Sequence, residues 1–414
     1  MLRVVKIRIY PTEQQKVSLA KAFGTTRWVW NHFLALTNQT YKETGKGIAK
    51  YDMIKQLPKL KKQEETEWLK QTYSQSLQSV CLNLSRAFVN FFEKRARYPR
   101  FKSRHGKQSL IYPQNVKLAE NKIYFPKLDW INAIIHRPIE GVIRTVTITK
   151  NSAEQYYASV MFEDGTEKPL PNSALKDTAK GKAIGIDLGL THFAITSDSQ
   201  KFANPRWFKK HEKNLKIKQQ QLSRKQKGSN NRNKSRLKVA KVHNKVTRCR
   251  EDFHHKLSRR IVNENQVLVL ENLAIKNMLK NHNLAKAISQ VGWGQFCTML
   301  KYKAEQEGKV YLEVDRFFPS SKICHVCLNQ VESLPLDVRT WTCSSCGTTH
   351  DRDINAAISL RDEGLRLLTV GYAELNSAYR TTVATCGTRD KAYCPDVRPS
   401  RGGRKKSTTG QSAG

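Results

Sequence analysis

Residues 4–10 alternate polar and apolar side chains with the period of two that a strand requires, and Pro11-Thr12 stops the run. Thr12 and Gln15 stand at capping-box spacing, which predicts a helix starting there and running through the aromatic stretch 27–34. The rhythm then lengthens: Leu77, Val80, Cys81, Leu84, Phe88, Phe91 and Phe92 recur at i, i+3, i+4 and i+7, the stripe of a helix with one face in the core of a bundle. From Tyr98 to about Lys168 short strand-like runs return, broken by Pro, Gly and Asn, of which VIRTVTITK (142–150) and QYYASVMFED (155–164) are the clearest. If the strand at 4–10 joins them, the helices of 12–95 are an insertion in a β-domain.

Pro169, Pro171, Asn172 and Ser173 mark a linker, after which AIGIDLGLTHFAITSD (183–198) reads as two strands joined by a Gly-containing turn. Two basic helical arms follow, separated at Lys227-Gly228-Ser229-Asn230. A strand, VLVLENL (267–273), helices near 286–307 and a strand, KVYLEVD (309–315), come next. Beyond Asn355 an amphipathic helix is expected to about Leu368, and the Gly-, Ser- and Lys/Arg-rich remainder is expected to be disordered.

Charge narrows the partner. The 414 residues carry a formal net charge of +38, an excess whose self-repulsion is relieved by neutralising a polyanion, and a phosphate backbone is the commonest one. Between Lys209 and Arg260 there are 19 Lys or Arg against three acids, Glu212, Glu251 and Asp252, too one-sided for salt-bridge lacing. Lys227, Ser229, Arg232, Lys234 and Arg236 of these arms are therefore candidate backbone contacts. In the loop 98–104, Tyr98, Arg100, Phe101 and Lys102 set aromatic faces among cations, a composition suited to stacking bases while holding phosphates. An anionic membrane is the rival partner, but no run of about 18 apolar residues exists, and the N-terminus lacks the apolar core of a signal peptide. The expectation is a soluble, cytoplasmic protein with no membrane partner. Nine cysteines, an odd number, do not suggest a secreted disulfide framework; Cys81, Cys249 and Cys297 are read as buried small apolar groups, and Cys386 and Cys394 are assigned nothing.

Two constellations carry chemistry. Cys324, Cys327, Cys343 and Cys346 form two CxxC pairs separated by fifteen residues, the spacing of a closed tetrahedral Zn(II) site. Four thiolates leave no place for water, so the zinc is expected to be structural, and His325 and His350 are not needed as ligands. A redox dithiol, the rival reading of a single CxxC, is disfavoured by two pairs. Separately, Asp187 interrupts an apolar strand and Glu271 ends another, and an uncompensated carboxylate in either place is costly. Each alone reads as a strand cap or a lysine partner. Together with Asp353, at a helix start, they fit acids from adjacent elements converging on two Mg(II) ions; oxygen ligands alone do not choose Mg(II) over Mn(II).

GIDLGL, LENL, the paired CxxC and DRDINAA, in this order and at these separations, resemble TnpB, the OrfB product of bacterial insertion sequences, which is similar to the RuvC-containing type V CRISPR effectors. The resemblance covers nearly the whole chain, including the N-terminal YPT element, Arg27-Trp28-Val29-Trp30-Asn31, the loop 99–103, the basic arm at 227–229 and Ser320-Ser321-Lys322-Ile323-Cys324. It implies an α+β multidomain protein: a wedge-type β-barrel (1–11 and 96–170) with a helical recognition insert (12–95), an RNase H-like RuvC nuclease domain (181–322 and 348–370) interrupted by a zinc ribbon (323–347), and a tail (371–414). It also implies an RNA-guided, metal-dependent DNA endonuclease of a transposable element, a monomer on its guide RNA, acting on target DNA. Carried over, the catalytic acids fall on Asp187, Glu271 and Asp353, the last preferred to Asp351 because it directly precedes Ile354-Asn355-Ala356-Ala357; the zinc ligands fall on the four cysteines, and Arg27 joins the nucleic-acid contacts. Leu328 follows Cys327 where the family commonly has Gly, which puts the geometry of that knuckle in question. A guided protein that binds without cutting, and a guide-independent transposase or resolvase, are the competing functions.

Overall fold

The computed structural model describes residues 1–169, 182–335 and 337–384. It begins with β1 (Leu2–Tyr10), then α1 (Glu13–Thr44), α2 (Lys50–Lys62), a 3-10 turn (Glu64–Gln71) and α3 (Ser74–Phe92). The strands β2 (Gln108–Tyr112), β3 (Lys117–Ala119), β4 (Lys122–Phe125), β5 (Asp129–Ile134), β6 (Val142–Lys150) and β7 (Tyr156–Glu163) follow. They form one antiparallel sheet of order β2-β6-β7-β1-β5-β4-β3, in which β1 pairs with β7 and β5. The helices are thus inserted between the central strand and the rest of its sheet. The capping box at Thr12 forms as the spacing predicts, and the Gln15 side chain also donates to the carbonyls of Leu128 and Trp130, fixing the start of α1 to β5.

One core, including Ile7, Ile9, Phe125, Ile131, Ile148 and Val160, lies inside the curl of this sheet. Its edge strands β2 and β3 do not pair with each other, so the expected barrel takes the form of an open half-barrel. The helical insert has its own core of Val29, Phe33, Met53, Leu57, Leu77 and Leu84. The α3 stripe buries Leu77, Val80, Cys81 and Leu84 but peels away at its end: Phe92 is 70% exposed and Phe91 meets the edge of Tyr98 instead. Cys81 is buried as expected, whereas Cys249 and Cys297 are only half-buried.

The second half contains β8 (Ala183–Asp187), β9 (His192–Thr196), β10 (Lys201–Ala203), α4 (Trp207–Ser223), α5 (Asn230–Glu264), β11 (Val267–Glu271), α6 (Ile275–Met278), α7 (His282–Val291), α8 (Trp293–Gln306) and β12 (Val310–Val314). The sheet order is β10-β9-β8-β11-β12, with β8, β11 and β12 parallel and β9 antiparallel to both of its neighbours, β8 and β10. Strand β11 is apolar throughout until Glu271 because both of its faces are covered. A small hairpin, β13 (Thr340–Thr342) and β14 (Thr349–Asp351), leads directly into α9 (Arg352–Ala384).

Helix α9 lies flush on β8 and β11 because two glycines permit it. A Cβ on Gly185 would overlap the carbonyl oxygen of Ala357, and one on Gly364 would overlap the Val269 side chain. The helix continues to Ala384, beyond the end near Leu368 expected from its pattern, so residues 371–384 are not part of a structureless tail; 385–414 and the expected linker at 170–181 lie outside the described residues. The arm α5 is held against the β6–β7 turn, where Asn244 and Arg248 both donate to Gln155 Oε1 at 2.6 Å. No described helix is long and apolar enough to cross a membrane.

Because the Gly185 contact is with backbone rather than a movable side-chain tip, Gly185→Ala should cost about 2–3 kcal/mol, the upper range for overpacking. A lowered midpoint of urea denaturation checks this, with Gly165→Ala as a control for a substitution made in open space but at positive φ.

Candidate active site and metal centre

Asp187 is the last residue of β8 and Glu271 the last of β11, and the parallel register that pairs Ile186 with Leu270 puts the two acids side by side at the carboxyl edge of the sheet. Ligand sites of open α/β sheets lie at this edge. Asp353 enters from the first turn of α9, held there by the flush packing of that helix on β8. Burial, then the charges of Glu271 and Asp353, together raise the Asp187 carboxyl to about 7, outweighing the Leu188 amide and the Arg352 guanidinium. Burial raises Glu271 as well. Asp187, buried beside two further carboxylates, is a group that a cation would relieve.

The acids do not form a single tight ligand shell: among the described residues, only the four cysteines bring three or more ligand atoms within 4.8 Å of one another. A wider set of carboxylates suits a pair of ions about 3.5–4 Å apart. Asp351 has a different task. Its Oδ1 accepts from the amides of Asp353 and Ile354, capping α9, and its Oδ2 pairs with Lys201 at 2.6 Å. Despite burial, these partners hold its carboxyl below the usual range.

The cysteine site is closed. Cys324 and Cys346 sulfurs lie 3.6 Å apart, as do those of Cys327 and Cys343. Four thiolates about 2.3 Å from a central Zn(II) would stand about 3.8 Å from one another, so the cage fits that ion. His350, buried, lies with Nε2 3.1 Å from Cys324 Sγ, beside the thiolates rather than as one of the four. The two knuckles are alike: the amides of Leu328 and Gly347 donate back to the carbonyls of Cys324 and Cys343. Both residues are left-handed, Gly347 at φ 72° and Leu328 at φ 61°, so the position where Gly is missing carries the strain the sequence implied, not a different path.

The cysteine ribbon and the acid cluster are joined through buried side chains of α9, chiefly Asn355. Asn355, in the first turns of α9, donates to the Ile323 carbonyl at 2.7 Å and accepts from the His325 amide, clamping the first knuckle to the helix that carries Asp353.

Comparison with known proteins agrees with this architecture. A family profile described as "Probable transposase" (OrfB_IS605) matches residues 160–282, a "Cas12f1-like, TNB domain" profile matches 293–360, and a "Helix-turn-helix domain" profile of the same OrfB_IS605 group matches 1–46. A Streptomyces pristinaespiralis protein named "Putative RNA-guided DNA endonuclease" is 38% identical over 88% of this chain and 89% of its own length. The chain belongs to the OrfB (TnpB) family. InsQ of Escherichia coli K12, similarly named, is 31% identical over 89% of the chain and 94% of its own length. The solved Cas12f1 in a complex with sgRNA and target DNA has the same fold, with a TM-score of 0.54 over 87% of this chain and 98% of that one, at 12% identity. In this TnpB-family chain residues 1–46 form a strand and one long helix rather than two helices and a turn.

The candidate nucleic-acid residues of this OrfB protein divide into free and committed groups. The loop 98–102 is clamped to α1: Trp30 Nε1 donates to the Arg100 carbonyl, Asn31 bonds Lys102 on both its N–H and C=O, and Lys102 Nζ sits 3.7 Å from the Trp30 ring centre. This leaves Phe101 60% exposed and the Arg100 side chain outward, whereas the Tyr98 hydroxyl donates to Asn38. Arg27 is half-buried beside Gln108. Lys227, Lys234 and Arg236 are exposed, but Ser229 caps α5 and Arg232 donates to the Leu222 and Lys225 carbonyls at the end of α4, so these two shape the arm. Sequence reasoning missed Arg339, which pairs with Asp353 at 3.2 Å, and Lys201 opposite Asp351; no local signal marks either. Asn355 was visible only as part of the DRDINAA string.

Two outcomes are expected. Cys343→Ser should lower bound zinc measured by mass spectrometry and, through the Asn355 clamp, loosen the start of α9, seen as faster amide exchange around Asp353. Asp187, with its folded pKa above its unfolded value, keeps its proton natively while the unfolded chain loses it, so its contribution to stability declines as pH rises from about 4 to about 7. Without added divalent cation, Asp187→Asn should therefore unfold at a higher temperature than the parent at pH 8, a difference that shrinks toward pH 5.

Proposed function

We propose that this chain is a transposon-associated, RNA-guided DNA endonuclease that hydrolyses DNA phosphodiesters with Asp187, Glu271 and Asp353. The observation that carries the reading is the meeting of these acids from two parallel strands and one helix, with the Asp187 carboxyl raised to about 7, in a chain closely related over most of its length to proteins named as RNA-guided DNA endonucleases. A buried carboxyl raised by neighbouring carboxylates binds a proton or a cation in preference to standing bare. The donor set, oxygen only, fits Mg(II) or Mn(II), which when bound supply an activated water and charge stabilisation of the leaving oxygen. Asp187 and Glu271 would hold the ions from the strand ends and Asp353 from the helix, with Arg339 orienting Asp353. The four cysteines would hold a structural Zn(II) whose task is to fix the start of α9.

Base pairing with the guide RNA would choose the target, while the exposed cations of the arms and of the loop at Arg100 hold backbones; the charge of +38 suits such a complex of two polyanions. We expect a monomer on each guide, acting in the cytoplasm. The Cas12f1 likeness, at 12% identity, supports the fold alone and lends no residue roles.

The test is expression with the flanking element DNA, sequencing of RNA that co-purifies, and Mg(II)-dependent cleavage of a matched duplex. A discrete bound RNA, and cleavage lost in Asp187→Ala with binding retained, are the expected results. Equal cutting by the variant removes these acids from the chemistry; binding with no cutting by the parent leaves a guided binding protein; cutting of branched DNA without RNA makes it a resolvase.

A further inference from the structure

A cavity of about 600 Å³ lies among the end of β10, the start of α4, the middle of α5 and α7, and none of the three acids or the zinc ligands lines it. Its volume is within the range of small-molecule sites. Three side-chain atoms in its lining are buried and have no hydrogen-bond partner: Trp207 Nε1, Arg250 Nε and His254 Nδ1. Two are obligate donors, and the third belongs to a side chain only 1% exposed. Burial, reinforced by Arg250, lowers His254 to about 4, so its ring is neutral at physiological pH and one nitrogen can accept. Orphaned buried polar groups cost free energy unless something meets them.

The walls around these atoms are flat and apolar. Phe193, Phe253, Trp207 and Phe208 all line the cavity. Arg206, Lys209 and Lys286 add cations to the lining, with Glu212, the one acid among the described lining residues, paired to Lys286 at 2.6 Å. Arg206, held left-handed at φ 48°, begins α4 without a side-chain cap on that helix's first amides, a further donor set at the same place. Aromatic faces, inward donors and surrounding cations answer a planar heterocycle with acceptors on its edge and a phosphate attached.

We propose that this cavity receives one unstacked nucleotide of a single-stranded nucleic acid, its base among the aromatic side chains and its phosphate on the neighbouring cations. The indole N–H and Arg250 Nε–H would meet base acceptors such as the O6 and N7 of guanine or the O4 of uracil or thymine. RNA and DNA strands offer this same chemistry, and the experiment separates them.

The full chain, freed of co-purifying nucleic acid at high salt, is titrated with a short fluorescein-labelled single-stranded RNA and with DNA of the same sequence over a range of salt. Trp207→Leu removes one wall, and Ala287→Trp fills the cavity from a half-buried helix position without disturbing a buried polar group. Both should weaken binding of at least one strand about tenfold, the scale of one lost base stack, while the slope of affinity against salt stays that of the parent because phosphate contacts elsewhere persist. A loss for RNA alone places an RNA nucleotide in the cavity, and a loss for DNA alone a DNA nucleotide. Parental affinity in Ala287→Trp for both strands, or a change confined to the salt slope, overturns the proposal, and if Trp207→Leu melts early Ala287→Trp decides alone. Since cutting is not measured, failure of the endonuclease reading leaves this result standing, and failure here leaves that reading standing.

Discussion

The close approach of one helix to one strand governs the rest. Where β8 carries Gly185, the backbone of α9 at Ala357 comes nearer than any side chain would allow, and Gly364 repeats the arrangement over Val269. That contact determines how far the first turn of α9 reaches over the ends of β8 and β11, and so whether Asp353 stands with Asp187 and Glu271. The zinc ribbon is built onto the same turn: β14 runs into α9 without a break, Asp351 caps it, and Asn355 clamps the first cysteine knuckle to it. A metal cage and a carboxylate cluster that share no ligand are therefore joined through a few residues of one helix start.

The two centres are opposite in electrostatic character. Thiolates at this spacing form a closed cage that suits one ion, and the Asn355 clamp and paired knuckle bonds complete its surroundings. The carboxylates leave a deficit, a group raised to about 7 among like charges on the carboxyl edge of a sheet, with Arg352 and Arg339 as partial relief. Structural rigidity lies in the first, and an open demand for cations in the second. Part of the chain's excess of positive charge lies elsewhere, on arms whose own cations are partly consumed in holding them in place, as Arg232 and Arg248 show.

Much of the architecture was legible because it depends on local period and spacing. The alternation at 4–10, the capping box at Thr12, the break between the basic arms and the strand that ends in Glu271 all appear where the pattern put them. The half-barrel did not close, since the pairing of distant edge strands is no property of either strand's own sequence. Phe92 followed the helical stripe yet points to solvent, because the bundle ends before the stripe does. Helix α9 outran its amphipathic pattern.

By itself the sequence marked the four cysteines as a candidate metal cage, through the spacing of two CxxC pairs, and three acids as a candidate site, through carboxylates set at strand and helix ends. Its net charge of +38, what remains after 35 acids offset 73 Lys and Arg, pointed to a polyanionic partner whatever the fold. Tertiary structure decided which of two aspartates caps a helix and which faces the other acids: Asp351 ends β14, accepts from the first amides of α9 and pairs with Lys201, while Asp353 stands in the first turn beside Asp187 and pairs with Arg339. It alone assembled the cavity around Trp207 of α4 and Arg250 and His254 of α5, whose unmet polar atoms come from two helices. Burial and juxtaposition across long stretches of chain are energies of the folded state, and no window of sequence contains them.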